Sequence, residues 1–264
     1  MSPGATLGAA PVEAAAAPPR AGLVVEFVGI PGAGKSILAR RACELLRAAG
    51  VPTTLHAHPT VPLPAPSNPV AKAVSYLRYA PPFARLGARH PGALLRAAAA
   101  VRATRQRSAM DYFKVLHNLC KTSLLVERCR RQPGVHLVDQ GTLQTLWAVA
   151  FSARAPGALT PARASGALAA LPDVAVVVTA ESEDVRRRLA GRLVAIGRLE
   201  ERMRADPSVL EDAAAAFRAV DALIAAIGRA APALRVVHVA NAGEGDVEGR
   251  ARLLADRLRA AGVA

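Results

Sequence analysis

The stretch GIPGAGKS, residues 29–36, constrains the fold of this chain more than any other feature of its sequence. It matches the pattern GxxxxGKS/T at every fixed position. A short apolar run at residues 23–28 precedes it, and residues 36–49 follow with apolar side chains on one helical stripe. A buried strand, a glycine-rich turn and a helix in this order predict a loop that binds phosphate groups.

Each residue type in this loop has a chemical reason. Gly32 and Gly34 permit backbone conformations that direct successive N–H groups at phosphate oxygens, and the positive end of the helix points at the same place. Lys35 is expected to reach the terminal phosphates, and the hydroxyl of Ser36 to ligate Mg²⁺. The residues expected to bind the nucleotide phosphates are Gly29, Ile30, Pro31, Gly32, Ala33, Gly34, Lys35, Ser36 and Ile37.

Short apolar runs alternate with helical segments along the rest of the chain. Strands are predicted at residues 23–28, 51–57, 135–138, 174–179 and 235–239. Because consecutive strands are separated by helices, we expect a parallel five-stranded sheet with helices on both faces. This is an α/β fold of three layers, of the P-loop NTPase type, in which ligands bind at the carboxyl ends of the strands.

The chain is expected to divide into a leader and one domain. Residues 1–20 are rich in Ala, Pro and Gly, which predicts a disordered leader before a domain over residues 21–264. No apolar run approaches the ~18 uncharged residues of a membrane span, so we expect a soluble, cytoplasmic protein with no membrane partner. The three cysteines, Cys43, Cys120 and Cys129, show no CxxC spacing, and we expect reduced thiols and no zinc site.

The net charge of +14 raises the question of a nucleic-acid partner. Only four of the 34 basic residues are lysines, however, and so much Arg together with so much Ala is typical of GC-rich codon usage. Aromatic residues make up 3% of the chain, which disfavours a platform on which single-stranded bases stack. We therefore give the bulk charge little weight, and nucleic acid is not the expected partner.

Two further stretches, VHLVDQG at residues 135–141 and PDVAVVVTAESEDVRRRLAGRLVAIGRLEER at 172–202, accompany the glycine-rich loop. Together the three resemble the P-loop kinase group that includes thymidylate kinase and the deoxynucleoside kinases, over about residues 22–260. In that family the third strand ends in a carboxylate that accepts a proton from the acceptor or holds Mg²⁺, and Asp139 takes this place. The family's next residue is Arg, whereas this chain has Gln140, so the resemblance leaves the acceptor open.

The resemblance also implies a lid. Residues 183–203 correspond to the family's lid-like segment, whose arginines close over the γ-phosphate, offset its charge and exclude water. Arg188, Arg192 and Arg198 take those positions, and Arg188 and Arg192 are expected on one face of a basic helix. Asn241 belongs to the loop that in this family passes the adenine.

Residues 70–132 correspond to the family's helical acceptor-binding insert. Its arginines either bind an anionic acceptor or form a solvated helix face. They are Arg78, Arg85, Arg89, Arg96, Arg102, Arg105 and Arg107. His56 and His58, near the end of the second strand, are further candidates to line the acceptor site.

The predicted function is that of an ATP-dependent small-molecule kinase with Mg²⁺ as cofactor. The γ-phosphoryl group passes to a nucleoside, a nucleotide or another small hydroxyl or phosphate acceptor, and a homodimer is compatible with the resemblance. The implied catalytic residues are Lys35, Asp139, Arg192 and Arg198; Ser36 and Asp139 hold the metal, and Arg188 and Asn241 bind the nucleotide.

Two alternatives differ in class. One is a P-loop NTPase or nucleotide-dependent regulatory protein, which binds nucleic acid through its arginines and uses Asp139 on water. The other, a sulfuryl-transfer enzyme, is disfavoured because Lys35 and Ser36 suit a nucleoside triphosphate with Mg²⁺.

Overall fold

Five parallel strands form the centre of the computed structural model, which describes residues 21–57, 80–191, 198–241 and 246–260. The strands are β1 (Gly22–Val28), β2 (Thr53–His56), β3 (Gly134–Val138), β4 (Val174–Thr179) and β5 (Arg235–Ala240). Their order in the sheet is β2-β3-β1-β4-β5, and every neighbouring pair is parallel. The predicted α/β class and five-stranded parallel sheet are confirmed.

Ten helices surround the sheet within these residues. They are α1 (Lys35–Ala48), α2 (Ala80–Arg89), α3 (Pro91–Ala103), α4 (Ala109–Arg130), α5 (Thr142–Phe151), α6 (Pro161–Ala167), α7 (Ser182–Ala190), α8 (Arg198–Ala205), α9 (Pro207–Ala230) and α10 (Val247–Ala260). Helix α1 packs with α10, whereas α4 and α9 both pack on α5, as expected when right-handed crossovers divide the helices between the two faces of the sheet. None of the helices that the structure describes has the length and apolar character needed to cross a bilayer.

The middle strand, β1, leads into the glycine-rich loop. Val24, Val25, Phe27 and Val28 are fully buried, because helices cover both faces of a central parallel strand. Glu26 is the exception, a charged residue with no exposed surface. Since β3 and β4 flank β1 on opposite sides, the carboxyl end of β1 lies at the point where ligands bind in open parallel sheets.

The basic helix on which Arg188 and Arg192 are expected to share a face ends before Arg192. The first helix, α7, ends at Ala190 with Gly191 as its C-cap, and α8 begins at Arg198. The described part of the 70–132 insert is helical, as expected, and forms α2, α3 and α4. The expected leader, residues 1–20, lies outside the described residues.

Asp173 connects the sheet to the helix layer just before β4. Its carboxylate accepts a hydrogen bond from the N–H of Val24 at 2.9 Å and lies 3.3 Å from the guanidinium of Arg130 on α4. The N–H of Asp173 donates to the carbonyl oxygen of Val24 in β1 at 2.8 Å. Its C=O accepts the N–H of Arg235 in β5 at 2.9 Å. These contacts are made away from water, because Asp173 is buried. One residue, through its side chain and its backbone, therefore joins β1, β5 and α4 at the start of β4.

We expect Asp173→Ala to lower the free energy of unfolding by about 2–3 kcal/mol, because a buried N–H loses its acceptor and a buried ion pair is broken. Urea unfolding followed by circular dichroism measures this change. Asp256→Ala is the matched control, since Asp256 pairs with Arg259 on the exposed surface of α10. Equal unfolding midpoints for the two variants would contradict the role assigned to Asp173.

Candidate functional site

The glycine-rich loop turns sharply between β1 and α1. Gly32 and Gly34 have φ angles of +85° and +93°, in the left-handed region that favours glycine. Gly34 is also the N-cap of α1. A Cβ atom on Gly34 would lie 2.2 Å from Asn241 Nδ2, so no other residue fits there without displacing its neighbour. The first turn of α1 therefore starts at this loop. Its N–H groups, which have no partner within the helix, lie beside the loop.

Ser36 and Asp139 meet beside the loop, although 103 residues separate them in the chain. The hydroxyl of Ser36 donates a hydrogen bond to Asp139 Oδ2 at 2.8 Å. Asp139 directly follows β3, and its N–H donates to the carbonyl oxygen of His56 at 3.2 Å. The structure thus brings together the two side chains that the sequence predicts as metal ligands.

The chemistry of this pair fits a divalent cation such as Mg²⁺. Asp139 is buried, and its Oδ1 has no hydrogen-bond partner among the described residues. A buried carboxylate oxygen without a partner calls for a ligand that the protein itself does not supply. Hydroxyl and carboxylate oxygens are the hard donors that Mg²⁺ takes, with phosphate oxygens and water completing the set.

Lys35 lies at the same place and is buried. Its Nζ donates to the carbonyl oxygens of Gly29 at 2.7 Å and Ile30 at 3.0 Å. These bonds hold the ammonium group over the start of the loop. To bind a terminal phosphate, Nζ directs an N–H at a phosphate oxygen, which is a stronger acceptor than a carbonyl oxygen because it is charged.

Arg188 on α7 and Asn241 after β5 both contact the backbone of the loop. Asn241 Nδ2 donates to the carbonyl oxygen of Ala33 at 2.6 Å, and Arg188 Nη1 donates to the same oxygen at 3.4 Å. Arg188 Nη2 also donates to the carbonyl oxygen of Asn241 at 2.9 Å. The two predicted nucleotide-binding side chains therefore support the loop from the side of β4 and β5.

A cleft of about 490 Å³ extends from the loop to α4 and α5. Gly32, Lys35 and Ser36 of the loop line it. Residues from the end of β2, from α4, from α5 and from the turn before α5 line it as well, and most of them are polar: His56, Ala57, Asn118, Lys121, Thr122, Leu125, Gln140, Gln144, Thr145, Trp147 and Ala148. The predicted insert arginines that the structure describes do not line this cleft, and its basic residue on α4 is Lys121.

The lid-like segment is described only in part. Arg192 lies outside the described residues, and Arg198 is described as the start of α8 without its side chain. His58, a candidate for the acceptor site, also lies outside the described residues. The two residues after Arg198, Leu199 and Glu200, line the cleft. The first turn of α8 therefore forms a wall of the cleft within the segment predicted as a lid.

Glu26 and Gln144 hold the loop from the side of α5, and sequence reasoning missed both. Glu26 Oε1 accepts the N–H of Gln144 at 2.7 Å, and Oε2 accepts the hydroxyl of Thr142 at 3.1 Å. Gln144 Oε1 in turn accepts the N–H of Gly29 at 2.9 Å. A Cβ on residue 141 would lie 2.4 Å from the Glu26 carboxylate. Because Gly141 has no Cβ, the start of α5 can approach this carboxylate. The one available signal was a carboxylate inside an apolar strand pattern.

Burial raises the pKa of the Glu26 carboxyl from 4.5 to about 7, and hydrogen bonds from Gln144 and Thr142 only partly oppose this rise. Because the folded chain holds the proton more tightly than the unfolded chain, folding takes up a proton between these two values. The stability that Glu26 contributes is therefore complete below pH 4.5 and is lost as the pH rises through about 7.

Glu26→Gln tests this pH dependence, since its amide mimics the protonated carboxyl: the oxygen accepts from Gln144 and the NH₂ donates to Thr142. Between pH 4.5 and 7 we expect the unfolding free energy of the unsubstituted chain to fall relative to the variant, on the order of 2 kcal/mol. Urea unfolding at a series of pH values measures the difference. Glu211→Gln, at an exposed position on α9, is the control. Parallel profiles for Glu26→Gln and the unsubstituted chain would contradict a titrating Glu26.

Comparison with known proteins leaves the site to be interpreted from its own geometry. The chain matches no protein-family model, and no curated protein matches it. The function proposed below rests on the contacts of the loop, of Asp139 and of the cleft.

Proposed function

We propose that this chain is a P-loop phosphotransferase that moves the γ-phosphoryl group of ATP to a small-molecule acceptor. One observation carries the proposal: a single cleft is lined both by Gly32, Lys35 and Ser36 of the loop and by polar residues of α4 and α5. We take the loop residues as the phosphate end of this cleft and the residues of α4 and α5 as its acceptor end. Polar groups that share a cleft with a phosphate-binding loop support a second substrate beside the nucleotide.

Two features of the described residues supply positive potential at the phosphate end. The N–H groups at the start of α1 and the ammonium of Lys35 bind the phosphates. Ser36 and Asp139 would hold Mg²⁺, which when bound neutralises phosphate charge. In the transfer, an oxygen of the acceptor bonds to the γ-phosphorus and releases its proton. The bond between the γ-phosphorus and the β–γ bridging oxygen breaks, and ADP leaves with that oxygen.

The acceptor end determines which molecule receives the phosphoryl group. Lys121 and Asn118, one turn apart on α4, present an ammonium group and an amide to the cleft. Gln140, which stands where the resembling kinases have Arg, presents a second amide. This set favours a small polar acceptor with several hydrogen-bonding groups, held at one point by a single cation.

ADP release in the presence and absence of a panel of nucleosides, nucleotides and sugars tests the proposal. We expect release to depend on Mg²⁺ and to rise with at least one acceptor. Ser36→Ala should lower it by about 10²-fold or more, because the cation loses a ligand. The fluorescence of Trp147, the chain's one tryptophan, reports binding at the cleft independently. Mg²⁺-dependent ADP release that no acceptor increases would favour the NTPase alternative.

Lys121→Met tests the acceptor end. We expect the KM for the most active acceptor of the panel to rise about 10- to 100-fold, because a charge-assisted hydrogen bond is lost. The KM for ATP should stay the same. Lys114→Met is the matched control, since Lys114 is exposed on the same helix and does not line the cleft. Equal acceptor KM values for the two variants would place the acceptor elsewhere.

A further inference from the structure

His56, Cys129 and His136 come together from three different elements on one side of the sheet. Thr54 of β2 pairs with His136 of β3, so His56, two residues further along β2, points to the same face as His136. Cys129 reaches this face from the last turn of α4. Cys129 and His136 are buried and His56 is half-buried. The cluster thus lies between the edge of the sheet and the helix that covers it.

The donor atoms of the three side chains converge. His56 Nε2 lies 3.1 Å from His136 Nδ1 and 3.4 Å from Cys129 Sγ. All three atoms lie within 4.8 Å of one another. Zinc bonds of about 2.0–2.1 Å to nitrogen and 2.3 Å to sulfur, at tetrahedral angles, place two nitrogens roughly 3.3 Å apart and nitrogen and sulfur roughly 3.6 Å apart. The distances from His56 Nε2 to the other two donor atoms, 3.1 and 3.4 Å, lie close to these spacings.

The hydrogen bonding around His136 prepares it as a ligand. The carbonyl oxygen of Gln132, 3.0 Å from Nε2 of His136, can only accept, so the ring proton sits on Nε2 and Nδ1 presents its lone pair to the cluster. A carbonyl partner on the far nitrogen is the usual outer contact of a metal-ligating histidine. Without a metal, a proton on His56 Nε2 can satisfy Nδ1 of His136, with the sulfur of Cys129 as a weak acceptor beside it. A cation satisfies both nitrogens and the sulfur at once.

We propose that His56, Cys129 and His136 bind one Zn²⁺ ion, separate from the Mg²⁺ ligands Ser36 and Asp139. On binding, the S–H bond of Cys129 breaks, its proton passes to solvent, and the thiolate and two neutral imidazoles each donate a lone pair to the ion. Water or another small ligand completes the fourth position. The cysteine spacing predicted no zinc site. The proposed ligands escape that spacing rule because Cys129 and His136 lie 73 and 80 residues from His56 in the chain.

The zinc site would act on the cleft through the backbone. The carbonyl oxygen of His56 accepts the N–H of Asp139, and the His56 side chain itself lines the cleft. An ion that joins β2, β3 and α4 therefore fixes the strand end from which Asp139 reaches Ser36. This is a positioning role, and zinc takes no part in the transfer.

Metal binding by the full-length chain tests the proposal. After dialysis against a chelator and then against Zn²⁺, the unsubstituted chain should retain one equivalent of zinc. Cys129→Ser should bind at least about 100-fold more weakly, since changes to outer contacts alone cost 10–100-fold. Cys120→Ser is the matched control, because Cys120 is an equally buried thiol on the same helix, outside the cluster. It should bind zinc as the unsubstituted chain does.

Cobalt substitution provides a readout that folding defects do not imitate. Co²⁺ bound at the cluster should give a thiolate-to-cobalt absorption band in the unsubstituted chain and in Cys120→Ser. The band should be absent from Cys129→Ser and weakened in His56→Gln, a change at the half-buried position. The proposal is overturned if the unsubstituted chain binds no stoichiometric zinc, or if Cys129→Ser binds zinc as tightly as Cys120→Ser. Neither result depends on kinase activity.

Discussion

The position of the glycine-rich loop depends on one buried carboxylate. Glu26 is the acceptor for the first turn of α5, whose N–H groups would otherwise be left without partners inside the protein. Held in this way, α5 presents Gln144 to the N–H of Gly29. The same helix forms part of the cleft wall through Thr145 and Trp147. A single ionisable group thus joins the glycine-rich loop to a helix that lines the same cleft.

The loop is held from the opposite side as well. The carbonyl oxygen of Ala33 accepts from both Asn241 and Arg188, so the elements that follow β4 and β5 determine where the turn lies. A loop fixed on two sides has its N–H groups in place before a phosphate arrives, and little reorganisation is then needed on binding. Lys35 belongs to the same arrangement, because its ammonium donates to the carbonyl oxygens of Gly29 and Ile30 in the loop.

The sequence predicted the features that have local signals. Apolar runs and the glycines of the loop are such signals, and the sheet and the left-handed turn at Gly32 and Gly34 follow from them. Gln144 contacts Gly29, 115 residues away, and Cys129 contacts His56, 73 residues away. No local sequence pattern marks either contact. The division of the basic segment was missed because Gly191 was not recognised as the helix end.

The wall contributed by α8 bears on what the cleft can hold. Of the two residues of this wall that the structure places in the cleft, Leu199 is apolar and Glu200 is acidic. A carboxylate repels phosphate, so in the proposed function Glu200 belongs with the acceptor rather than with the phosphates of ATP. Lys121 lines the same cleft and carries the opposite charge. On the proposed function, a hydroxylated small molecule suits a cleft with both charges better than a phosphate dianion does.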